Sequence, residues 1–126
     1  MKFFFTFITI STLLSSFTSL LNIDEVINAL KTGNTTRIAK YFDETVEITI
    51  FNKSNSYSKS QAEQVLKDFF DVYSVKNFEI LHKGENAGSQ YCIGKLITKS
   101  GSFRTTIYMK TKANNHLLQE IRIEYF

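Results

Sequence analysis

Three long runs of alternating side chains, separated by short turns, occupy the last part of the chain. The runs cover residues 91–97, 103–110 and 117–125, and the turns between them are rich in Gly, Ser, Asn and Lys. A period of two is typical of a β-strand, and strands joined by short turns pair antiparallel. The sequence therefore predicts an antiparallel meander. On its last strand, one face is expected to carry Leu117, Ile121, Ile123 and Tyr125.

Apolar residues at helical spacing come earlier in the chain. A stripe from Ile23 to Leu30 predicts a first helix, which ends at Gly33. Asn34 can cap a second, shorter helix. The motif Ser60-x-x-Glu63 predicts the start of the longest helix, because it has the form of a capping box. Its apolar stripe contains Ala62, Val65, Leu66, Phe69, Phe70 and Tyr73.

Shorter strands are expected between and after these helices. Alternation over residues 46–50 predicts a strand, followed by a turn at 52–55 and a short return strand at 56–58. A further strand is expected around 78–83, with a loop at 84–88. Helices, a strand, a long helix and then a run of strands is the order of an α+β domain.

The first twenty residues have the composition of a secretory signal peptide. Lys2 is followed by a short apolar run at 3–14 and by small polar residues at 15–19. We therefore expect a signal peptide at residues 1–20, a single domain at 21–126, and an extracytoplasmic location, either periplasmic or secreted. An uncleaved membrane anchor is the alternative interpretation, although no Lys or Arg follows the apolar run closely to stop transfer.

Charge and cysteine content narrow the function classes. The net charge of +3 is small and scattered, which argues against nucleic acid as a partner. Cys92 is the one cysteine, so no disulfide can form within the chain, and a buried thiol is expected. Two histidines and one cysteine without paired spacing give no basis for a metal site. We expect no cofactor, and no membrane contact after signal removal.

Four stretches resemble a family of small secreted bacterial proteins, known as a domain of unknown function with a nuclear transport factor 2-like fold. They are residues 23–34, 41–48, 91–96 and 118–124. The resemblance implies a curved antiparallel sheet wrapped around a long helix to form a cone. The fold also includes ketosteroid isomerases and polyketide cyclases, whose acid or base lies inside the cone. The fold does not by itself determine an activity.

The candidate site residues are those that the predicted cone could turn inward. His82 shares strand parity with Phe78 and Ile80 and could be a base in an apolar pocket, or it could lie half exposed at a strand end. Tyr91 and Tyr108 lie on neighbouring predicted strands and could point a hydroxyl into a cavity. The remaining ligand-binding candidates are Phe69 and Tyr73 of the long helix. No residue is nominated as catalytic.

Three functions remain open on the sequence alone. The first is a non-enzymatic domain that binds a small apolar ligand or an envelope protein. The second is a ketosteroid-isomerase-like enzyme that uses a buried His82 or a carboxylate such as Glu79. The third is a structural module with a filled core, which could form a homodimer. Because outward residues such as Lys95, Arg104 and Arg122 are charged, such a dimer is expected to be polar and modest.

Overall fold

The structure is a computed structural model that describes residues 22–126. The expected signal peptide at residues 1–20 therefore lies outside the described residues. These residues form three helices: α1 (Asn22–Thr32), α2 (Thr35–Ala39) and α3 (Lys59–Val72). The strands are β1 (Phe42–Ile50), β2 (Lys53–Ser58), β3 (Val75–Asn86), β4 (Ser89–Thr98), β5 (Gly101–Lys112) and β6 (Asn115–Glu124).

All six strands form one sheet in the order β2-β1-β6-β5-β4-β3. The predicted meander β4-β5-β6 is confirmed, and β3 extends it on one side. On the other side β1 pairs with β6 in parallel, with Ile48 opposite Ile121. The β1–β2 hairpin is thereby joined to the last strand, and β2 and β3 form the two edges of the sheet.

The residues that cap the helices are those predicted from the local sequence, with one exception. Gly33 has φ of +65°, which a residue without Cβ adopts freely, and it ends α1 as predicted. The Asn34 side chain accepts a hydrogen bond from the Arg37 N–H and caps α2. The capping box of α3 was predicted two residues too late. Its members are Ser58 and Gln61, whose side chains each accept a hydrogen bond from the other's backbone N–H.

One face of the sheet packs against the helices and holds the core; we call it the helix side. Side chains of β4 alternate between buried and half-buried along the whole strand, as expected when only one face is covered. The helices contribute Leu30 and Leu66, and the strands contribute Ile107 and Leu118, all fully buried. These residues belong to one hydrophobic cluster that joins the helices to the sheet.

The strand β3 is longer than predicted, because residues 84–86 pair with β4 where a loop was expected. Two shifts of register also change which side chains face the core. A bulge lies between Ile80 and His82, so the alternation of side chains reverses there. A second shift near the middle of β6 buries Leu118, where the sequence pattern favoured Leu117.

Candidate functional site

Six aromatic side chains meet at one end of the core, on the helix side of the sheet. Phe103 of β5 lies near the centre, with its ring centroid 5.1 Å from that of Tyr73 and 5.5 Å from that of Phe51. Phe69 stacks on Tyr73 with centroids 4.7 Å apart. We call this group the aromatic cluster; its members are Phe51, Phe69, Phe70, Tyr73, Phe103 and Tyr125.

Phe51 has an unusual backbone conformation that places its ring in this cluster. It stands in the turn between β1 and β2 with φ of +56°, a region that bulky residues rarely adopt. Its N–H donates a hydrogen bond of 2.7 Å to the carbonyl of Ile123, and its ring stacks on Tyr125 at 4.3 Å and 9°. The turn is thus fixed from two directions, by a backbone bond and by ring stacking.

A cleft of ≈ 510 Å³ opens beside this stacked pair. Its floor is the helix side of β1 and β2, where Ile48 lies opposite Asn55 and Ile50 opposite Lys53. Tyr125, which is 63% exposed, stands at its rim. We call it the aromatic cleft. Its lining residues are Ile48, Ile50, Phe51, Asn52, Lys53, Asn55, Tyr57 and Tyr125.

The predicted ligand residues Phe69 and Tyr73 lie behind the cleft. Phe69 is buried, and both rings contact Phe51 from the core side. They therefore support the wall of the aromatic cleft and do not line it. Sequence reasoning missed Phe51 and Tyr125 as lining residues. Phe51 is a turn residue without a periodic signal, and the alternation that placed Tyr125 on the apolar face of the last strand did not show that Phe51 would stack on it.

The other three predicted site residues lie on the opposite, outer side of the sheet. His82 is exposed, and its Nε2 lies 2.7 Å from the hydroxyl oxygen of Tyr91. Tyr91 covers Gly84, and Tyr108 lies directly opposite Tyr91 on β5. The expected parity of His82 with Phe78 was wrong, because the bulge in β3 turns His82 away from the core. The structure thus brings His82, Tyr91 and Tyr108 together. Phe69 and Tyr73 lie on the opposite side of the sheet.

Two ionisable groups at the core, Asp43 and Cys92, have shifted pKa values. The carboxylate of Asp43 forms an ion pair of 2.9 Å with Lys112 and accepts a hydrogen bond from Gln119. The Lys112 ammonium is the main cause that lowers the pKa of Asp43. Burial raises the pKa of the Cys92 thiol to about 11, so this cysteine is a thiol at neutral pH, as a buried residue should be.

Clustered metal ligands and membrane-spanning helices are both absent from residues 22–126. They contain no group of three or more His, Cys, Asp or Glu side chains placed to hold a metal ion. No helix in this part of the chain is both long and apolar enough to cross a bilayer. The aromatic cleft combines apolar and aromatic side chains with two asparagines and one lysine, which makes it a candidate for recognition.

The fold places the chain among the nuclear transport factor 2-like α+β proteins. A protein of that class from Cytophaga hutchinsonii, of unknown function, superposes with a TM-score of 0.60 at 10% identity, covering 83% of this chain and 87% of its own. Within this class the chain belongs to the family described as "Domain of unknown function (DUF4783)", whose profile matches residues 23–124. No curated protein matches the sequence.

Two crystal structures of family members are similar over most of their length. The protein from Bacteroides uniformis is 33% identical with a TM-score of 0.79, covering 82% of this chain and 95% of its own. The protein from Bacteroides ovatus is 30% identical with the same TM-score, covering 81% and 93%. The family and fold expected from the sequence are therefore confirmed.

Proposed function

We propose that this protein is a non-catalytic binding domain that works outside the cytoplasm and holds an apolar group in the aromatic cleft. The group would belong to a small apolar molecule or to an envelope protein. The observation that carries the proposal is the lining of the cleft, in which Ile48, Ile50 and Tyr57 form an apolar surface beside the Phe51–Tyr125 pair. Most binding sites for such groups are apolar concavities of this size with few polar side chains.

The chemistry of the lining favours binding over catalysis. An isomerase that moves protons needs a carboxylate or an imidazole beside its substrate. The aromatic cleft has amide groups from Asn52 and Asn55 and the ammonium group of Lys53, but neither a carboxylate nor an imidazole. His82, the base considered from the sequence, is exposed on the other side of the sheet. These placements support a domain whose cleft orients and holds a group.

Indole is a suitable probe of the cleft, because it is small, flat and largely apolar. We expect it to shift the backbone amide resonances of residues 50–57 in a ¹⁵N-labelled protein, with a dissociation constant of roughly 1 mM, as is common for a ligand with so few atoms. Tyr125→Ser should weaken binding severalfold. Tyr108→Ser is the matched control on the outer side of the sheet and should leave it unchanged.

Two results would contradict the proposed site. One is indole that shifts amides near His82 or elsewhere and leaves residues 50–57 unaffected. The other is equal binding to the Tyr125→Ser and Tyr108→Ser proteins. Native mass spectrometry of the protein from its own envelope fraction adds a separate test, since a small natural ligand gives an additional mass that is lost on denaturation.

The proposed location depends on the first twenty residues and has its own test. N-terminal sequencing of the protein from the envelope fraction should give a start between residues 17 and 22, because signal cleavage is expected after the small polar residues. A start at Met1 would contradict cleavage and would favour the anchor interpretation.

A further inference from the structure

The two edges of the sheet differ in how open they are to another strand. At one edge, β2 pairs with β1 in an unbroken register from Thr45 opposite Ser58 to Ile50 opposite Lys53. All residues of β2 except Tyr57 are exposed. A strand at an edge presents unpaired N–H and C=O groups along its free side, which another chain can pair with.

The opposite edge has features that discourage such pairing. The strand β3 carries a bulge between Ile80 and His82, which bends its free side. Charged side chains of both signs, such as Glu79 and Lys83, stand along it. Helix α1 also contacts β3, through an ion pair between Asp24 and Lys83 among other contacts. No comparable bulge interrupts β2, so the two edges are not equivalent.

The side chains of β2 connect its free edge with the aromatic cleft. Lys53, Asn55 and Tyr57 alternate along the strand, and all three line the cleft. The hydroxyl groups of Ser54 and Thr49 meet at 2.6 Å on the other side of the sheet. Because alternate side chains share a face, a strand added beside β2 would lay every second side chain along the cleft.

Charge indicates which kind of chain fits this edge. Lys53 and Lys59 stand at the two ends of the 53–59 segment, which contains no acidic residue. The ion pairs within residues 22–126 join other side chains and do not include Lys53. A second copy of β2 would offer no carboxylate to Lys53, because residues 53–58 contain none. An acidic segment is therefore complementary in charge to Lys53, whereas a second copy of β2 is not.

We propose that β2 receives an extended, acidic segment of a partner protein as an additional antiparallel or parallel strand. An apolar side chain of the segment enters the aromatic cleft, and an acidic side chain two or four residues away faces Lys53. This inference rests on the proposed binding function and names the class of partner for the same cleft. Backbone hydrogen bonds to β2 supply affinity, and the cleft and Lys53 supply specificity.

A displayed library of random octapeptides, selected on the purified protein, provides the probes. We expect the selected peptides to carry an aromatic or aliphatic residue two or four positions from Asp or Glu. For one synthesised peptide, Lys53→Glu should weaken binding about fivefold or more, the usual effect of an exposed ion pair turned into a repulsion. A peptide with Lys in place of its acid should then prefer the Lys53→Glu protein.

Two controls separate strand addition from simple contact with the cleft. N-methylation of alternate backbone amides in the peptide removes hydrogen-bond donors without changing side chains, and should abolish binding when the methylated amides are those that face β2. Tyr125→Ser should weaken binding of the peptide, and Tyr108→Ser should leave it unchanged. The amides of residues 53–58 should become protected from hydrogen exchange in the complex.

Several results would overturn the inference. One is equal binding of the peptide to the wild-type and Lys53→Glu proteins. Another is a peptide that still binds after N-methylation at every position. A third is a selection that enriches no peptides beyond those recovered from a bare support. A dimer of the protein with protected β2 amides would also overturn it, since a second copy would then occupy the edge. If indole still binds in the cleft, any of these outcomes leaves the proposed function standing; if indole fails too, both proposals fail.

Discussion

The aromatic cluster on the helix side and the group of His82, Tyr91 and Tyr108 on the outer side contain the same kinds of side chain, yet they join different parts of the molecule. The cluster connects the β1–β2 turn, helix α3, strand β5 and the residue that follows β6. The outer group lies on three strands that backbone hydrogen bonds already hold together. Aromatic residues should therefore matter for stability in the first group and much less in the second.

The largest effect is expected at Phe103, which contacts four rings of the cluster. Phe103→Ala should lower the free energy of unfolding by about 3–5 kcal/mol, because it removes a buried ring and leaves a cavity. Tyr108→Ala on the outer side should cost less than about 1 kcal/mol. Urea denaturation followed by circular dichroism measures both. Similar losses for the two variants would contradict the contrast between the groups.

Two glycines covered by rings, one on each side of the sheet, test the contrast at a smaller scale. A Cβ at Gly94 would overlap the Phe78 ring and lie 2.7 Å from the backbone oxygen of Glu79, which cannot move away. Gly94→Ala should therefore cost about 1–3 kcal/mol, as overpacking in a core does. The three atoms nearest to a Cβ at Gly84 all belong to the Tyr91 ring, which can rotate into solvent, so Gly84→Ala should cost less.

A double-mutant cycle sharpens this prediction. With Tyr91→Ala in place, the cost of Gly84→Ala should fall close to zero, because the overlapping ring is gone. An unchanged cost in the double variant would mean that the Gly84 backbone itself, and not Tyr91, requires glycine.

Phe51 allows its backbone and its ring to be separated. Phe51→Gly and Phe51→Ala both remove the ring, but only glycine adopts φ of +56° without steric cost. The glycine variant should be more stable than the alanine variant by up to about 1 kcal/mol, and both should be less stable than wild type. Equal stability of the two variants in thermal unfolding would show that the turn relaxes to another conformation.

Two carboxyl groups should give stability profiles of opposite sign with pH. The pKa of Asp43 is lowered, chiefly by Lys112, so its ionised form stabilises the fold above its ordinary pKa of 3.8, and that contribution is lost as the pH falls through the folded pKa. The pKa of Glu120 is raised, first by burial and then by Glu47. Its contribution is favourable below its ordinary pKa of 4.5 and is lost as the pH rises through the folded pKa.

Asp43→Asn should therefore be destabilising at pH 7, and its cost should shrink below pH 4. Glu120→Gln should be neutral or stabilising at pH 7, with its advantage shrinking in acid. Unfolding midpoints in urea between pH 3 and 7 measure both. A constant difference from wild type across this range would contradict the assignment for that residue.

Most of the fold followed from local patterns in the sequence, because these patterns record burial. The alternation in β4 and β5 and the caps at Gly33 and Asn34 were all visible before the structure. The parallel pairing of β1 with β6 was not, since no local pattern records which distant strand becomes a neighbour. The bulge beside Leu81 was also missed, and with it the orientation of His82, because a single inserted residue leaves no clear mark on composition.

The candidate site was predicted less well than the fold for a related reason. Phe69 and Tyr73 were found through helical periodicity, and they prove to be the support behind the aromatic cleft. The cleft itself is made by residues that end elements, Phe51 after β1 and Tyr125 after β6. Such residues come together only when the sheet is complete, so their proximity is a property of the tertiary structure.

The parallel pairing of β1 with β6 has a consequence for the order in which the chain acquires its structure. The β1–β2 hairpin joins the rest of the sheet only through β6, which comes last in chain order among the strands of residues 22–126. Until residues 115–124 are available, β1 has β2 as its one strand neighbour within the described residues, and a two-stranded hairpin is only marginally stable in water. Such distant pairing closes slowly. The β1–β2 hairpin is therefore expected to join the sheet late in folding, after β6 has paired with β5.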